Sequence, residues 1–67
     1  MYFLFVVMFL HDGTQINHKY PDSMKYLECM SYARQEAEAL KQEDTSEFKT
    51  IDFYCGTDSD FEKEYGK

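Results

Sequence analysis

The stretch that decides the fold is residues 1–10, MYFLFVVMFL, together with the dipeptide Asp12-Gly13 that follows His11. Ten consecutive apolar residues suit a strand in the centre of a sheet, where both of its faces are covered. Asp-Gly is a strong signal for a two-residue type I′ hairpin turn, because both central residues of that turn need a positive φ. We therefore expect a central strand followed by a tight hairpin.

The register of this hairpin assigns the two faces of the sheet. A two-residue turn pairs His11 with Thr14 and so places Phe9 opposite Ile16. Cross-strand partners share a face, so the phenylalanines of the first strand should join the apolar residues of the second. The predicted core face is Phe3, Phe5, Val7, Phe9, Ile16 and Tyr20.

The rest of the chain predicts one helix and one further strand. Pro21 ends the second strand (residues 14–20) because proline cannot donate to a ladder, and Asp22 or Ser23 caps a helix over residues 23–42. The helix has an apolar stripe at helical spacing: Tyr26, Met30, Ala33, Ala37 and Leu40. The third strand, residues 48–55, points three side chains inward: Ile51, Phe53 and Cys55.

These elements define an α+β fold with the order β-β-α-β. We expect a three-stranded antiparallel sheet in the order 2-1-3, with one helix packed on one face. Residues 1–56 form a single compact domain, and residues 57–67 form an acidic C-terminal tail.

Residues 1–10 could also be mistaken for a targeting segment. They have no positively charged start and no small-residue cleavage site after them, and ten residues cannot span a bilayer as a helix. We expect a cytoplasmic protein, with a signal peptide or membrane anchor as the alternative.

The sheet face turned away from the helix is the predicted interaction surface. An aliphatic stripe with polar residues on both sides is typical of such surfaces. The candidate partner-binding residues are Leu4, Val6, Met8 and Leu10 of the stripe, with Tyr54, Asp58 and Asp60. Three coverings stay open: the C-terminal segment through Phe61 and Tyr65, a second copy of the chain, or a foreign partner.

The charge of the chain is concentrated in its second half. The formal net charge is -6, and residues 36–64 hold ten acidic residues against three lysines. This balance weighs against direct binding to nucleic acid and to anionic membranes. The acidic half is either a solvated face or a patch that binds a basic protein surface.

The cysteine, histidine and aspartate side chains of the chain predict no catalytic or metal site. Cys29 and Cys55 fall at the same end of the predicted fold, so a disulfide is allowed, although in the cytosol both would be thiols. A catalytic thiol needs a nearby base, and nothing places His18 beside either sulfur. Asp58-x-Asp60 resembles the start of a calcium loop but lacks its glycine and its final glutamate. We expect no enzyme activity, no cofactor and no small-molecule substrate.

Residues 1–56 resemble short uncharacterised proteins of tailed bacteriophages. The resemblance lies in the apolar strand at residues 1–10, the turn at Asp12-Gly13, and the placement of Cys29 and Cys55. It implies a small accessory protein that binds a host protein and alters its activity. The sequence therefore favours an acidic, non-enzymatic interaction protein that modulates a host protein. The alternative is a structural homodimer or a subunit of a virion or other assembly.

Overall fold

The computed structural model describes residues 1–66 and confirms the α+β fold. Three antiparallel strands lie in the order β2-β1-β3, so the apolar first strand is central, as predicted. The elements in chain order are β1 (Phe3–Leu10), β2 (Gln15–Lys19), α1 (Tyr26–Leu40), β3 (Phe48–Gly56) and α2 (Asp58–Tyr65). Neither helix in this part of the chain has the length and hydropathy needed to cross a membrane.

The hairpin loop between β1 and β2 has three residues rather than the predicted two. The Leu10 N–H donates to the Thr14 carbonyl at 2.9 Å, and the Gly13 N–H donates to the Leu10 carbonyl at 3.1 Å. Asp12 does not have the positive φ that a type I′ turn requires, whereas Gly13 has a φ of 92°. Glycine in this left-handed position is typical of a three-residue hairpin loop. The Asp12 carboxylate also accepts a hydrogen bond from the Thr14 N–H at 2.8 Å.

The extra loop residue reverses the predicted faces of β1. Met8 lies opposite Ile16 and Val6 lies opposite His18, one position away from the predicted register. A shift of one residue moves every side chain of a strand to the other face. The face under α1 therefore carries the even-numbered residues Leu4, Val6 and Met8, and the phenylalanines of β1 lie on the outer face. The predicted assignment of the β1 side chains to the two faces of the sheet is therefore wrong.

The predicted inward residues of β3 do face α1. Cys55 lies opposite Leu4 and is bonded to Cys29 of the helix, and Phe53 and Ile51 follow it on the same face.

Helix α1 begins three residues later than predicted, and neither Asp22 nor Ser23 caps it. Met24 forms an antiparallel bridge with Tyr2, in which the two N–H groups donate at 2.7 and 2.8 Å. This bridge keeps the chain extended up to the start of the helix. The Glu28 carboxylate then accepts a hydrogen bond from the Lys25 N–H at 3.1 Å, which satisfies a donor at the helix N-terminus.

The rotation of α1 about its axis also differs from the predicted stripe. Cys29 is the buried residue of the helix, and Ala33 and Leu40 are half-buried on the same side. Tyr26 and Met30, which were predicted to be in the core, are 48% and 46% exposed. The bond between Cys29 and β3 turns this side of the helix toward the sheet.

Helix α2 lies within the segment predicted to be a tail. Thr57 caps it: the Asp60 N–H donates to Thr57 Oγ1 at 3.2 Å, and the Thr57 N–H donates to Asp60 Oδ2 at 3.3 Å. This reciprocal pair is a capping box. Its signal was present in the sequence as Thr57-x-x-Asp60, followed by Phe61 and Tyr65 at helical spacing.

The buried core is small and centres on β1. The buried apolar side chains are Leu4, Phe5, Val6, Val7 and Cys29. The Cα positions extend 32 × 30 × 15 Å, which is the shape of a thin slab. The accessible surface is 4990 Å², whereas a folded monomer of this mass is expected to expose about 4,450 Å². The chain therefore exposes more surface than its size requires.

Candidate protein-interaction surfaces

The predicted aliphatic stripe is not an available binding surface. Leu4 has no exposed surface and Val6 is only 7% exposed, because both lie beneath α1. Met8 and Leu10 are half-buried. The assignment of this stripe to a free sheet face is wrong, and the cause is the one-residue change in the hairpin register.

The outer face of the sheet is covered by α2. The Phe61 ring stacks on the Phe5 ring, with centroids 4.2 Å apart and planes 12° from parallel. Tyr54 of β3 contacts the same cluster, at 6.1 Å from the Phe61 ring and 5.7 Å from the Tyr65 ring. One predicted alternative had Phe61 and Tyr65 covering the sheet. They do cover it, but on the phenylalanine face.

The candidate residues of the C-terminal segment have intramolecular contacts. Lys19 Nζ lies 2.8 Å from Asp58 Oδ1 and 4.1 Å from the centroid of the Phe3 ring. Asp60 closes the capping box of α2. The Lys19–Asp58 pair is largely exposed, so it contributes little stability but helps to orient α2 on the sheet.

Three adjacent large side chains at the start of α1 form an exposed apolar patch. The α1 patch consists of Tyr26, Leu27 and Met30, which are 48%, 79% and 46% exposed. Met30 lies three and four residues after the other two, so all three share one side of the helix. The Tyr2 and Tyr26 rings form a T-shaped pair with centroids 5.2 Å apart, and this contact supports the patch. Sequence reasoning missed this patch because it placed two of the three residues in the core.

The acidic residues are spread over the exposed surface of the second half. Glu38 lies 3.7 Å from Lys41 in an exposed pair. Asp52 and Glu64 flank Tyr65, and burial together with these carboxylates raises the pKa of the Tyr65 hydroxyl. The same causes, burial first and then neighbouring carboxylates, raise the pKa of Tyr54. The outer side of the molecule therefore presents a negative potential.

A small apolar groove lies between α1 and the sheet, and all three strands contribute to its lining. Its volume is about 210 Å³, and Val6, Met8 and Phe53 form part of its walls. At its rim the Tyr20 hydroxyl donates to Glu36 Oε1 at 2.8 Å. Burial, followed by the bond to Glu36, raises the pKa of Tyr20 to about 12. Tyr20 is thus protonated near neutral pH and acts as a hydrogen-bond donor.

Cys29 and Cys55 form a disulfide that ties α1 to β3. Their Cα atoms are 6.1 Å apart, which confirms the predicted proximity of the two cysteines. Both thiols of the described chain are consumed in this bond. Among residues 1–66, no group of three or more histidine, cysteine or carboxylate side chains is arranged to hold a metal ion.

Comparison with known proteins found no matching family model, no matching curated protein and no matching solved structure.

Proposed function

We propose that this chain is a small acidic, non-enzymatic interaction protein that binds another protein through the α1 patch and modulates it. The observation that carries the proposal is the exposure of Leu27 and its two neighbours. A chain with so few buried side chains would gain folding free energy by burying its large apolar residues, yet these three are exposed to solvent. Tyrosine and methionine are enriched in the centres of protein interfaces.

The charge distribution supports a partner with a basic surface. The ten acidic residues between positions 36 and 64 outnumber the lysines by seven. The electrostatic field of this excess negative charge speeds association with a basic protein and repels acidic proteins. The resemblance to short phage proteins points in the same direction, and the partner would then be a host protein.

The chemistry of the described residues supports a non-enzymatic role. Catalysis at neutral pH needs a nucleophile or a base whose pKa lies near 7. The two cysteines are bonded to each other, His11 Nε2 lies 3.1 Å from the Ser46 carbonyl oxygen, and the His18 ring packs at a steep angle against Tyr20.

The test is a matched pair of lysine substitutions on the exposed side of α1. Leu27→Lys places a charge in the α1 patch, and Ala39→Lys adds the same charge at an exposed position nine residues beyond Met30, outside the patch. Tagged native protein and both variants would be used to capture partners from lysate, with quantitative mass spectrometry. A protein retained by the native chain and by Ala39→Lys, but lost with Leu27→Lys, supports the proposal. Equal retention by all three contradicts it.

A second candidate function, a homodimer or an assembly subunit, is favoured by a different observation. Within residues 1–66, the outer edge of β3 is an unpaired strand edge, and it lies beside a groove lined mainly by apolar residues.

A further inference from the structure

The free edge of β3 can be described at the level of single backbone groups. The Leu10 N–H donates to the Thr14 carbonyl and the Tyr20 N–H donates to the Leu4 carbonyl, so the even-numbered residues of β1 bond to β2. The odd-numbered residues of β1 therefore bond to β3: Phe5 and Val7 lie opposite Tyr54 and Asp52. Because the direction of the backbone groups alternates along a strand, the N–H and C=O groups that point outward belong to Ile51, Phe53 and Cys55. Within residues 1–66 these groups have no backbone partner on another strand.

The other edge of the sheet has a different character. By the same alternation, the outward backbone groups of β2 belong to Gln15, Asn17 and Lys19. Gln15 and Asn17 are joined by a side-chain hydrogen bond of 2.9 Å, and Lys19 carries a charge. Polar and charged side chains, especially lysine, are typical of edges that resist pairing with another strand. The β3 edge carries apolar side chains at Ile51, Phe53 and Cys55, whereas Lys49 and a register irregularity lie at the beginning of this strand.

A groove that is lined mainly by apolar residues, together with Arg34 and Asp52, runs beside the β3 edge on the α1 side. Its volume is about 440 Å³. Met30, Ala33 and Ala37 form its helical wall, and Ile51 and Phe53 form its floor. A strand added to β3 would direct alternate side chains into this groove.

We propose that the β3 edge pairs with the β3 edge of a second copy of this chain, giving a continuous six-stranded antiparallel sheet. The two-fold axis passes through Phe53, which lies opposite Phe53 of the second copy. Ile51 then lies opposite Cys55 of the second copy, and the outward backbone groups of Ile51, Phe53 and Cys55 are paired. The two Phe53 side chains fill the groove between the two α1 helices.

The side chains along the edge are compatible with self-pairing in this register. Asp52 lies opposite Tyr54 of the second copy, whose hydroxyl can donate to a carboxylate, and no two like charges lie opposite each other. In the neighbouring register centred on Asp52, the two Asp52 carboxylates would be opposed. The charge pattern therefore favours the register centred on Phe53.

The exposed surface and the net charge of the chain both bear on the strength of this dimer. The chain exposes 4990 Å², roughly 500 Å² more than a monomer of its mass is expected to expose. A standard interface buries about 800 Å² per partner, and smaller ones are weak. The two copies also carry -6 each. The dimer should therefore be weak at low salt and tighter at high salt, because salt screens this repulsion. Binding of a basic segment to the same edge would show the opposite salt dependence.

The experiment measures the association state of the full chain by sedimentation equilibrium, from micromolar to millimolar concentration, at about 0.05 and 0.5 M salt. The native protein should dimerise, with a lower Kd at the higher salt. Phe53→Pro removes an outward N–H without removing a bond to β1 and should raise the Kd by roughly tenfold or more. Asn17→Pro makes the same change on the outer edge of β2 and should leave the Kd unchanged. Circular dichroism checks that both variants are folded.

Amide hydrogen exchange of the native chain keeps the proposal testable if Phe53→Pro fails to fold. The amides of Ile51, Phe53 and Cys55 should become protected as the concentration rises, and those of Asn17 and Lys19 should not. A chain that stays monomeric at millimolar concentration and high salt overturns the proposal. So does a dimer in which the three β3 amides exchange freely, or a β3 edge that pairs only with an added basic peptide. Leu27→Lys leaves the β3 edge intact, so loss of partner capture and loss of dimerisation are separate results.

Discussion

The ring of Phe5 in the central strand lies parallel to the ring of Phe61 in the C-terminal helix, at a centroid distance of 4.2 Å. This contact covers the outer face of the sheet. It also explains why a stretch predicted to be an acidic tail forms a helix: an isolated helix of eight residues is unstable in water and needs tertiary packing.

The first prediction concerns the docking of α2. Phe61→Ala should lower the free energy of unfolding by about 1–3 kcal/mol, less than for a fully buried phenylalanine, because Phe61 is half-buried. Amide exchange in residues 58–65 should accelerate more than exchange in β1. Glu62→Ala, an exposed change on the same helix, is the control and should leave both measurements nearly unchanged. If Phe61→Ala leaves exchange in α2 unchanged, the stacking on Phe5 does not hold the helix.

The second prediction tests the faces of β1. Val6→Lys should unfold the chain, because it places a charge at a position that is 7% exposed beneath α1. Ile16→Lys adds the same charge on the same face at a position that is 43% exposed, and this variant should remain folded. Circular dichroism and thermal unfolding of both variants provide the comparison. A folded Val6→Lys variant would contradict the placement of Val6 beneath α1.

The third prediction concerns the disulfide. The two cysteines are 26 residues apart, and the loop entropy removed by a bridge of this span corresponds to about 3.5 kcal/mol. Reduction should therefore lower the urea midpoint strongly and expose α1 to hydrogen exchange, since Cys29 is the buried residue of that helix. The double variant Cys29→Ala, Cys55→Ala should behave like the reduced protein and should not respond to reductant. An unchanged urea midpoint after complete reduction would count against this role of the disulfide.

The fourth prediction is a loss of stability at alkaline pH. The pKa of Tyr20 is raised to about 12 in the folded chain, whereas an unfolded tyrosine titrates near 10. Between these two values the unfolded state loses its proton first, so the free energy of unfolding falls as the pH rises. Below about pH 10 this group contributes no pH dependence. Urea unfolding from pH 9 to 11 measures how steeply the free energy of unfolding falls with pH.

Tyr20→Phe should make this alkaline slope shallower without abolishing it, because Tyr54 and Tyr65 also have raised pKa values. The substitution should also lower the free energy of unfolding by about 1 kcal/mol at neutral pH, because the hydrogen bond to Glu36 is lost. Tyr26→Phe, at an exposed position, is the control. A slope that is equal in both variants would show that Tyr20 does not titrate as described.

Much of the architecture could be predicted from local signals. The ten apolar residues at the start of the chain predicted a central strand because only a strand with two covered faces can use them, and β1 is central. Pro21, the helical spacing after it and the alternation around Ile51 predicted the remaining order of elements. The proximity of Cys29 and Cys55 followed from that order.

The candidate site could not be predicted in the same way. Asp12-Gly13 is compatible with a two-residue and a three-residue loop, and the choice between them depends on which face of β1 packs better against its neighbours. When both faces of a strand are apolar, alternation cannot identify the face that meets the helix. The exposure of Tyr26 and Met30 likewise depends on how the bond at Cys29 rotates α1.

The amino-acid sequence by itself thus determined the number, type and order of the strands, the site of the helix α1 and the uneven charge, because each of these depends on residues that are close in the chain. Tertiary structure alone decided the hairpin register, the rotation of α1 and the docking of α2 on Phe5. Each of these three depends on contacts between distant residues, and the small free-energy differences between alternative packings have no local signature.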